Sequence, residues 1–187
     1  MLQMGMIRKG TIGFQIRSGS ATATPTIDTP AKLLNFARSN NIRILPLDTK
    51  ALAEKLGIQV IYATDLKDEV SGILEKDEND RWIIRVNNKH HPNRQRYTIA
   101  HELGHYCLHK HQEKFFEDQT FFRGRGRTRT ETQANRFASE LLMPEDVFQR
   151  FLNEGVTDVE TLAQRFGVST LALRIRAKDL GYSESEI

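Results

Sequence analysis

The sequence has little of several features that would place it in other protein classes. It contains one cysteine, Cys107, so no intramolecular disulfide can form, and the chain suits a reducing compartment. No stretch approaches the run of about 18 apolar residues that a membrane span needs, and the first residues lack the apolar segment of a secretion signal. We therefore expect a soluble, cytoplasmic protein with no membrane partner. Cys107 itself lies in an apolar helical context that predicts a core position rather than a nucleophile.

A strong excess of one charge is also missing. The 27 Lys and Arg residues are nearly balanced by 24 Asp and Glu residues, which gives a formal net charge of +3. So small an excess is poor evidence for nucleic-acid binding, and any contact with a polyanion must be local. At 187 residues the chain can bury one core, with room for small appendages but not for a second catalytic domain.

A short motif does stand out, in which two histidines lie four residues apart. His101 and His105 belong to a His-Glu-x-x-His sequence, and the residues around it are apolar at helical spacing. Residues four apart lie on one face of a helix, so both imidazoles can reach one ion. Glu102 is not placed to bind the ion on that turn, but it can take a proton from a water held there. The pattern favours a zinc hydrolase over a surface helix that carries two histidines by chance.

Such a site needs a third protein ligand, and two nearby histidines are candidates. His109 shares the helix face, but it lies about 12 Å along the axis from His101, which is too far for one ion. His111 has the spacing of the third histidine in the longer metzincin pattern. Leu108 stands where that pattern has a glycine, so the turn that would bring His111 back is poorly supported.

A carboxylate further along the chain is the stronger candidate. Glu131 stands in the first turn of a second amphipathic segment, which Pro144 ends. A carboxylate there can complete a His-His-Glu site, and the amide of Asn135, one turn on, can orient a ligand. The alternative is that Glu131 is a solvated acid that the dipole of the helix favours at its N-terminus.

Two runs of sequence together match a known pattern. The first runs from Arg94 to Tyr106, and the second has the form Glu131-x-x-Ala-Asn-x-Phe-Ala followed by Leu-Leu-Met-Pro. Together they closely resemble the ImmA/IrrE family of bacterial and phage metallopeptidases, over roughly residues 45–182. The resemblance implies His101, His105 and Glu131 as metal ligands and Glu102 as the catalytic base. Zinc suits these ligands, and Mn²⁺ or Fe²⁺ could occupy them.

The same resemblance implies a substrate. In the family the substrate is a helix-turn-helix (Xre-like) transcriptional repressor, which is cleaved to release stress-response or mobile-element genes. A first alternative is a non-proteolytic toxin or regulator that pairs with an antitoxin and in which the metal is structural. A second is a DNA-binding regulator.

Two segments outside the motifs bear on these alternatives. Residues 159–174 have the pattern helix, glycine turn, serine cap, helix, and resemble a helix-turn-helix with Arg174, Arg176 and Lys178 on or near its second helix. This unit could contact DNA or serve only for packing. Residues 112–130, with arginine and glycine alternating over 123–129, predict a mobile cationic loop. It could gate a cleft, contact an acidic substrate, contact phosphate, or be a solvated insertion.

The predicted fold is α+β: a zincin-like minimal metallopeptidase with a small antiparallel sheet packed on the metal helix, and a C-terminal helical segment. Strand-like runs at residues 70–75 and 81–86 predict a hairpin, one strand of which could form a sheet edge that binds a peptide, or which could simply pack on the helix. We divide the chain into an extension over 1–30, with a possible strand and a linker, a peptidase domain over 31–144, and the helical segment over 145–187.

Overall fold

Seven helices and one four-stranded sheet make up the described part of the chain, which in this computed structural model is residues 27–111, 115–119, 128–183 and 187. The possible strand of the extension over 1–30, which covers residues 11–17, lies outside the described residues, as do its linker up to residue 26 and the arginine-glycine run up to residue 127. In chain order the elements are α1 (Pro30–Ser39), α2 (Thr49–Lys55), β1 (Gln59–Ala63), β2 (Val70–Lys76), β3 (Trp82–Asn87), α3 (Pro92–His109), β4 (Phe115–Gln119), α4 (Arg129–Leu142), α5 (Glu145–Asn153), α6 (Val159–Phe166) and α7 (Thr170–Asp179). The predicted α+β class is confirmed.

Helix starts follow local sequence signals. At the start of several helices, the side chain of the N-cap residue accepts a hydrogen bond from a backbone amide in the first turn. These N-cap residues are Thr29, Asp48, Thr128, Asp158 and Ser169. Such caps satisfy amides that have no partner within the helix. The helix pair predicted in residues 159–174 therefore forms as expected, with a glycine turn between α6 and α7.

The sheet has the strand order β1-β3-β2-β4. β2 and β3 form the predicted antiparallel hairpin, and β4 pairs antiparallel with the other side of β2. β1 adds a parallel pair with β3, so the sheet is mixed rather than wholly antiparallel. Of the two alternatives for this hairpin, a peptide-binding sheet edge is excluded, because β2 and β3 each have a partner on both sides. In the described part of the chain, the edges are β1 and β4.

The prediction of a loop over residues 112–130 is wrong at both of its described parts. Residues 115–119 form β4, and Thr128 and the residues after it belong to the N-cap and first turn of α4. Phe116 of β4 is buried, as an aromatic residue on a sheet face usually is.

α3 and α4 pack closely because Gly104 has no side chain. A Cβ atom at this position would lie 3.1 Å from both the Cα and the carbonyl oxygen of Ala134, and 3.2 Å from the Cβ of Phe137. Ala134 is fully buried in the same contact. A glycine facing an alanine lets the two backbones approach, so the first turns of α4 lie directly against the middle of α3.

The C-terminal helices are attached to α3 through the turn between α6 and α7. Arg96 of α3 donates hydrogen bonds to the carbonyls of Gly167 (2.9 Å) and Leu47 (2.8 Å), and Asn93 donates to the carbonyl of Val168 (3.0 Å). Gly167 has a φ of +64°, and a Cβ atom there would overlap the Arg96 guanidinium. The turn therefore requires glycine both for its conformation and for this contact.

The apolar core is continuous across these elements. One cluster of buried residues extends from Leu33 in α1 through Leu103 in α3 to Ala177 in α7. This cluster includes residues on both sides of the domain boundary predicted at residue 144. The domain boundaries themselves stay predictions. None of the helices in the described ranges is both long and apolar enough to cross a bilayer.

We expect Arg96→Ala to lower the free energy of unfolding by about 2–3 kcal/mol, because two carbonyl acceptors lose a charged donor. Urea unfolding followed by circular dichroism measures this change. Arg174→Ala, which removes an exposed arginine from α7, should change the free energy of unfolding by less than about 0.5 kcal/mol. Equal effects of the two substitutions would show that Arg96 does not hold the C-terminal helices.

Candidate metal centre

Three side chains from two helices converge at one point between α3 and α4. His101 and His105 of α3 are buried, and their Nε2 atoms lie 3.0 Å apart. The two oxygens of Glu131, from the first turn of α4, lie 3.2 Å from these nitrogens, one on each. Within the described residues, this is the one group of three metal-binding side chains whose ligand atoms all come within 4.8 Å of one another. The structure therefore brings together the three residues that the sequence predicts as ligands.

The donor set fits a small divalent cation. Ligands around a tetrahedral zinc ion at 2.0–2.2 Å lie roughly 3.3–3.6 Å apart. The nitrogen and oxygen separations of 3.0–3.2 Å in the cluster are close to that spacing. Two neutral imidazoles and one carboxylate suit zinc, and Mn²⁺ or Fe²⁺ could use the same donors.

The ionisation of the cluster also suits a cation. Burial alone would raise the pKa of the Glu131 carboxyl, but its close contacts with the His101 and His105 rings outweigh that effect and hold the pKa well below its usual value. Burial lowers the pKa of His105, against the opposing effect of Glu131. A carboxylate and a neutral imidazole are the forms in which these side chains bind metals.

Glu102 lies next to this cluster and is fully buried. Its position against β2 depends on Gly72, where a Cβ atom would lie 3.1 Å from Oε1 of Glu102 and would overlap the methyl group of Thr98. Gly72 therefore leaves the space that the Glu102 carboxyl group occupies. The predicted role of Glu102 as a base is compatible with this position beside His101.

Asn135 makes a different contact from the one expected of it. The side-chain amide of Asn135 donates to the main-chain carbonyl of Glu131 (3.0 Å). The main-chain carbonyl of Asn135 accepts from the Tyr97 hydroxyl (3.3 Å). The bond from the Asn135 side chain supports the first turns of α4 but does not involve the Glu131 carboxylate. The role of Asn135 in orienting a ligand stays a prediction.

The other two histidines considered as ligands lie outside the cluster. His111 is exposed beyond the end of α3, so the metzincin arrangement is not formed. His109 is buried, with its Nδ1 atom 3.2 Å from Nδ1 of His105 and its Nε2 atom 3.1 Å from Oε1 of Gln133. The four-residue spacing of His105 and His109 could have predicted the first contact. Nothing in the sequence pointed to Gln133.

Cys107, on the same helix, has the properties of a core residue. It is buried, and burial raises the pKa of its thiol to about 12. A thiol with so high a pKa remains protonated at neutral pH and is a poor nucleophile. The predicted core position is confirmed.

The exposed face of α7 lines a cleft rather than a free surface. The cleft has a volume of about 840 Å³ and lies between α3, α4 and α7. Tyr97 and Asn135, each one turn from a member of the metal cluster, line it together with Leu171 and Ile175 of α7. Leu171 and Ile175 are 49% and 44% exposed, so this face of the second helix is partly apolar.

The basic residues of α7 are not equally available for a DNA contact. Arg174 and Lys178 are exposed, but Arg176 is buried and donates to the carbonyl of Met143 (3.1 Å). Of the three, Arg176 is therefore not available for a DNA contact. Its guanidinium instead links α7 to the end of α4.

Comparison with known proteins gives two sequence relatives and a family. The IrrE N-terminal-like domain of peptidase family M78 matches residues 53–178. The chain is 31% identical over 157 residues to the Metallopeptidase ImmA of Bacillus subtilis (strain 168), which covers 74% of this chain and 82% of that protein. It is also 31% identical over 107 residues to the Uncharacterized immunity region protein 2 of Bacillus phage phi105, which covers 57% of this chain.

A solved structure shares the fold. It is a Mycobacterium tuberculosis transcriptional regulator, which matches with a TM-score of 0.58 at 21% identity over 84% of this chain. The chain spans 65% of the phage protein and 49% of the regulator. At this identity the match to the regulator concerns the fold alone.

Loss of a hydrogen-bond partner of a metal ligand typically lowers metal affinity by about 10–100-fold, and loss of a charged ligand itself should lower it further. We therefore expect Glu131→Gln to weaken Zn²⁺ binding by more than about 100-fold. Competition with a chromophoric chelator measures the dissociation constant. Glu54→Gln, an exposed acid on α2, should leave the dissociation constant unchanged. Tight zinc binding by the Glu131 variant would exclude this carboxylate as a ligand.

Proposed function

The chain belongs to the IrrE N-terminal-like peptidase family, and from that premise we propose that it is a zinc-dependent endopeptidase that cleaves a helix-turn-helix repressor. The observation that carries the proposal is the convergence of His101, His105 and Glu131, with Glu102 buried beside them. Two imidazoles, one carboxylate and an adjacent acid form the minimum set for metal-assisted hydrolysis of a peptide bond.

We assign His101, His105 and Glu131 as the ligands of the cation. When bound, the cation would polarise the scissile carbonyl and make a nearby water more acidic. The charge of Glu131 and the neutral ring of His105 keep the protein side of the site ready for it. Three protein donors in the described part of the chain leave room for a substrate, whereas structural zinc sites usually have four protein ligands. This count favours the peptidase over the toxin or regulator with a structural metal.

Glu102 is assigned as the general base and then the general acid. Its carboxylate takes a proton from the attacking water as the new C–O bond forms at the scissile carbonyl. The protonated carboxyl then gives this proton to the amide nitrogen as the C–N bond breaks. The proton thus moves from water to the leaving amine, and Glu102 returns to its starting state.

The edge strand β4 is the proposed binding site for the scissile segment. In the described ranges β4 pairs on one side only, with β2. Phe116 of β4 stacks on the His105 ring, with centroids 4.6 Å apart, so this edge adjoins the metal cluster. An extended peptide could add as a strand there and receive main-chain hydrogen bonds.

The identity of the partner rests on the relatives. One is named a metallopeptidase and another is named for a phage immunity region. The motifs resemble those of a family that cleaves Xre-like repressors, and such a repressor or antitoxin is the proposed partner. The apolar Leu171 and Ile175 in the α7 cleft support a protein rather than DNA as the ligand of this helix. We retain the division into a peptidase domain over 31–144 and a helical segment over 145–187 as part of the proposal.

We expect Glu102→Gln to lower the cleavage rate by at least about 100-fold, because a general base typically contributes 10²–10⁴-fold. Zinc affinity should stay within about threefold of the wild type, since Glu102 is not a proposed ligand. The assay combines the purified chain with a candidate Xre-like helix-turn-helix repressor and detects fragments by mass spectrometry.

Glu154→Gln, an exposed acid at the end of α5, is the control and should cleave at the wild-type rate. Wild-type cleavage by the Glu102 variant would reject the assigned base. A stable complex that the wild-type chain forms but never cleaves would favour the non-proteolytic regulator.

Gly72→Ala tests whether Glu102 must be held in its present position. The added Cβ should displace the Thr98 methyl group and the Glu102 carboxyl group, and a displacement of about 1 Å can cost on the order of 100-fold in rate. We expect slower cleavage with unchanged zinc affinity. Adding Thr98→Ala should restore part of the rate, because it removes the atom nearest to the new Cβ. Full activity of the Gly72 variant would contradict this account.

A further inference from the structure

His109 is a buried histidine that the proposed reaction does not use. It lies on α3 one turn after His105 and is 3% exposed. Both of its ring nitrogens have partners: Nδ1 lies 3.2 Å from Nδ1 of His105, and Nε2 lies 3.1 Å from Oε1 of Gln133. The side chains of His105, His109 and Gln133 therefore form a continuous line of polar contacts, which we call the imidazole chain.

The direction of the imidazole chain follows from counting donors and acceptors. A carbonyl oxygen can only accept, so Nε2 of His109 must carry the hydrogen that Oε1 of Gln133 receives. In a neutral ring Nδ1 of His109 is then an acceptor, and Nδ1 of His105 must donate to it. This leaves Nε2 of His105 with a free lone pair. Nε2 is the atom that faces His101 and Glu131.

Packing holds the rings in this arrangement. Phe116 of β4 stacks on His105 at an interplanar angle of 26°, and its centroid lies 6.1 Å from that of His109. Phe116 is itself buried, so the contact between the two Nδ1 atoms lies in a largely dry environment. A hydrogen bond in such an environment is stronger than in water, and a missing partner costs more.

α4 supplies both ends of the arrangement. Glu131 reaches His105 at Nε2, and Gln133, two residues later, reaches it through His109 from the Nδ1 side. The His105 ring is therefore held between two side chains of one helix. A shift of α4 along α3 would break both contacts together.

We propose that His109 and Gln133 are positioning residues of the metal centre. They hold the hydrogen of His105 on Nδ1 and fix the plane of its ring, so that Nε2 is directed at the cation. Outer partners of this kind usually change metal affinity by about 10–100-fold. The proposal rests on the proposed function only in taking His105 as a ligand, and it can be tested without any substrate.

The first test measures Zn²⁺ affinity of the full chain by competition with a chromophoric chelator. We expect Gln133→Leu and His109→Leu to weaken binding by about 10–100-fold. Gln133→Glu keeps an acceptor at the end of the imidazole chain, so its affinity for Zn²⁺ should stay within about threefold of the wild type. His111→Leu, which removes an exposed histidine just beyond α3, is the control and should have no effect.

Gln133 is exposed, so its leucine variant should fold even if the variant at buried His109 does not. Unchanged affinity in the folded Gln133→Leu variant would overturn the proposal. Equal losses in the leucine and glutamate variants would also overturn it, because only a structural effect of substitution at residue 133 would then remain.

The second test locates the hydrogens by ¹⁵N NMR of histidine side chains in the zinc-loaded chain. We expect a hydrogen on Nδ1 of His105 and on Nε2 of His109, and loss of this fixed pattern at His109 in Gln133→Leu. A hydrogen on Nδ1 of His109 would reverse the imidazole chain and reject the proposal. A chain that binds zinc with the expected pattern but cleaves no protein would reject the peptidase and leave the imidazole chain supported.

Discussion

The contact between α3 and α4 at Gly104 and Ala134 is the constraint on which the candidate site depends. The two histidines are brought together by their spacing on one helix, but a third donor must come from another element. Glu131 reaches them because it lies one turn before the closest approach of the two backbones. A side chain at residue 104 would separate the helices and move the carboxylate away from the imidazoles. The glycine within the motif thus has a geometric role that is separate from the chemistry of its neighbours.

The cluster concentrates polar groups in a place where burial is costly. His101, His105 and Glu102 are almost completely inaccessible, and Glu131 is 28% exposed. Burying carboxylates without compensating charge is unfavourable, and a divalent cation between the helices would supply that charge. The imidazole chain extends the same arrangement outward, because it satisfies the nitrogen of His105 that faces away from the cluster. Metal binding and the packing of α4 on α3 should therefore stabilise each other.

The C-terminal helices are hydrogen-bonded to α3, the helix that carries both histidines of the cluster. Arg96 and Asn93 bind the turn between α6 and α7 from the first turns of the helix that carries both histidines. Burial of Arg176 and the apolar cleft face of α7 separate this unit from a typical DNA-reading helix, whose exposed face contacts base edges. The resemblance to a helix-turn-helix lies in local geometry, since caps and a glycine turn produce the same helix pair whichever surface it packs against.

Local signals were sufficient for much of the fold and for the core of the site. Helical spacing placed His101 and His105 on one face, caps marked the helix starts, and alternating residues predicted the β2–β3 hairpin. The sequence alone could not give the order of the strands, because strand pairing depends on contacts between residues far apart in the chain. It also did not predict β4, because residues 115–119 fell within the cationic loop predicted over 112–130. It also left His109 as a rejected ligand and gave no sign of Gln133. Only tertiary packing could decide their positions, since a hydrogen bond between two helices depends on how the helices cross, and no pattern within either helix encodes that crossing.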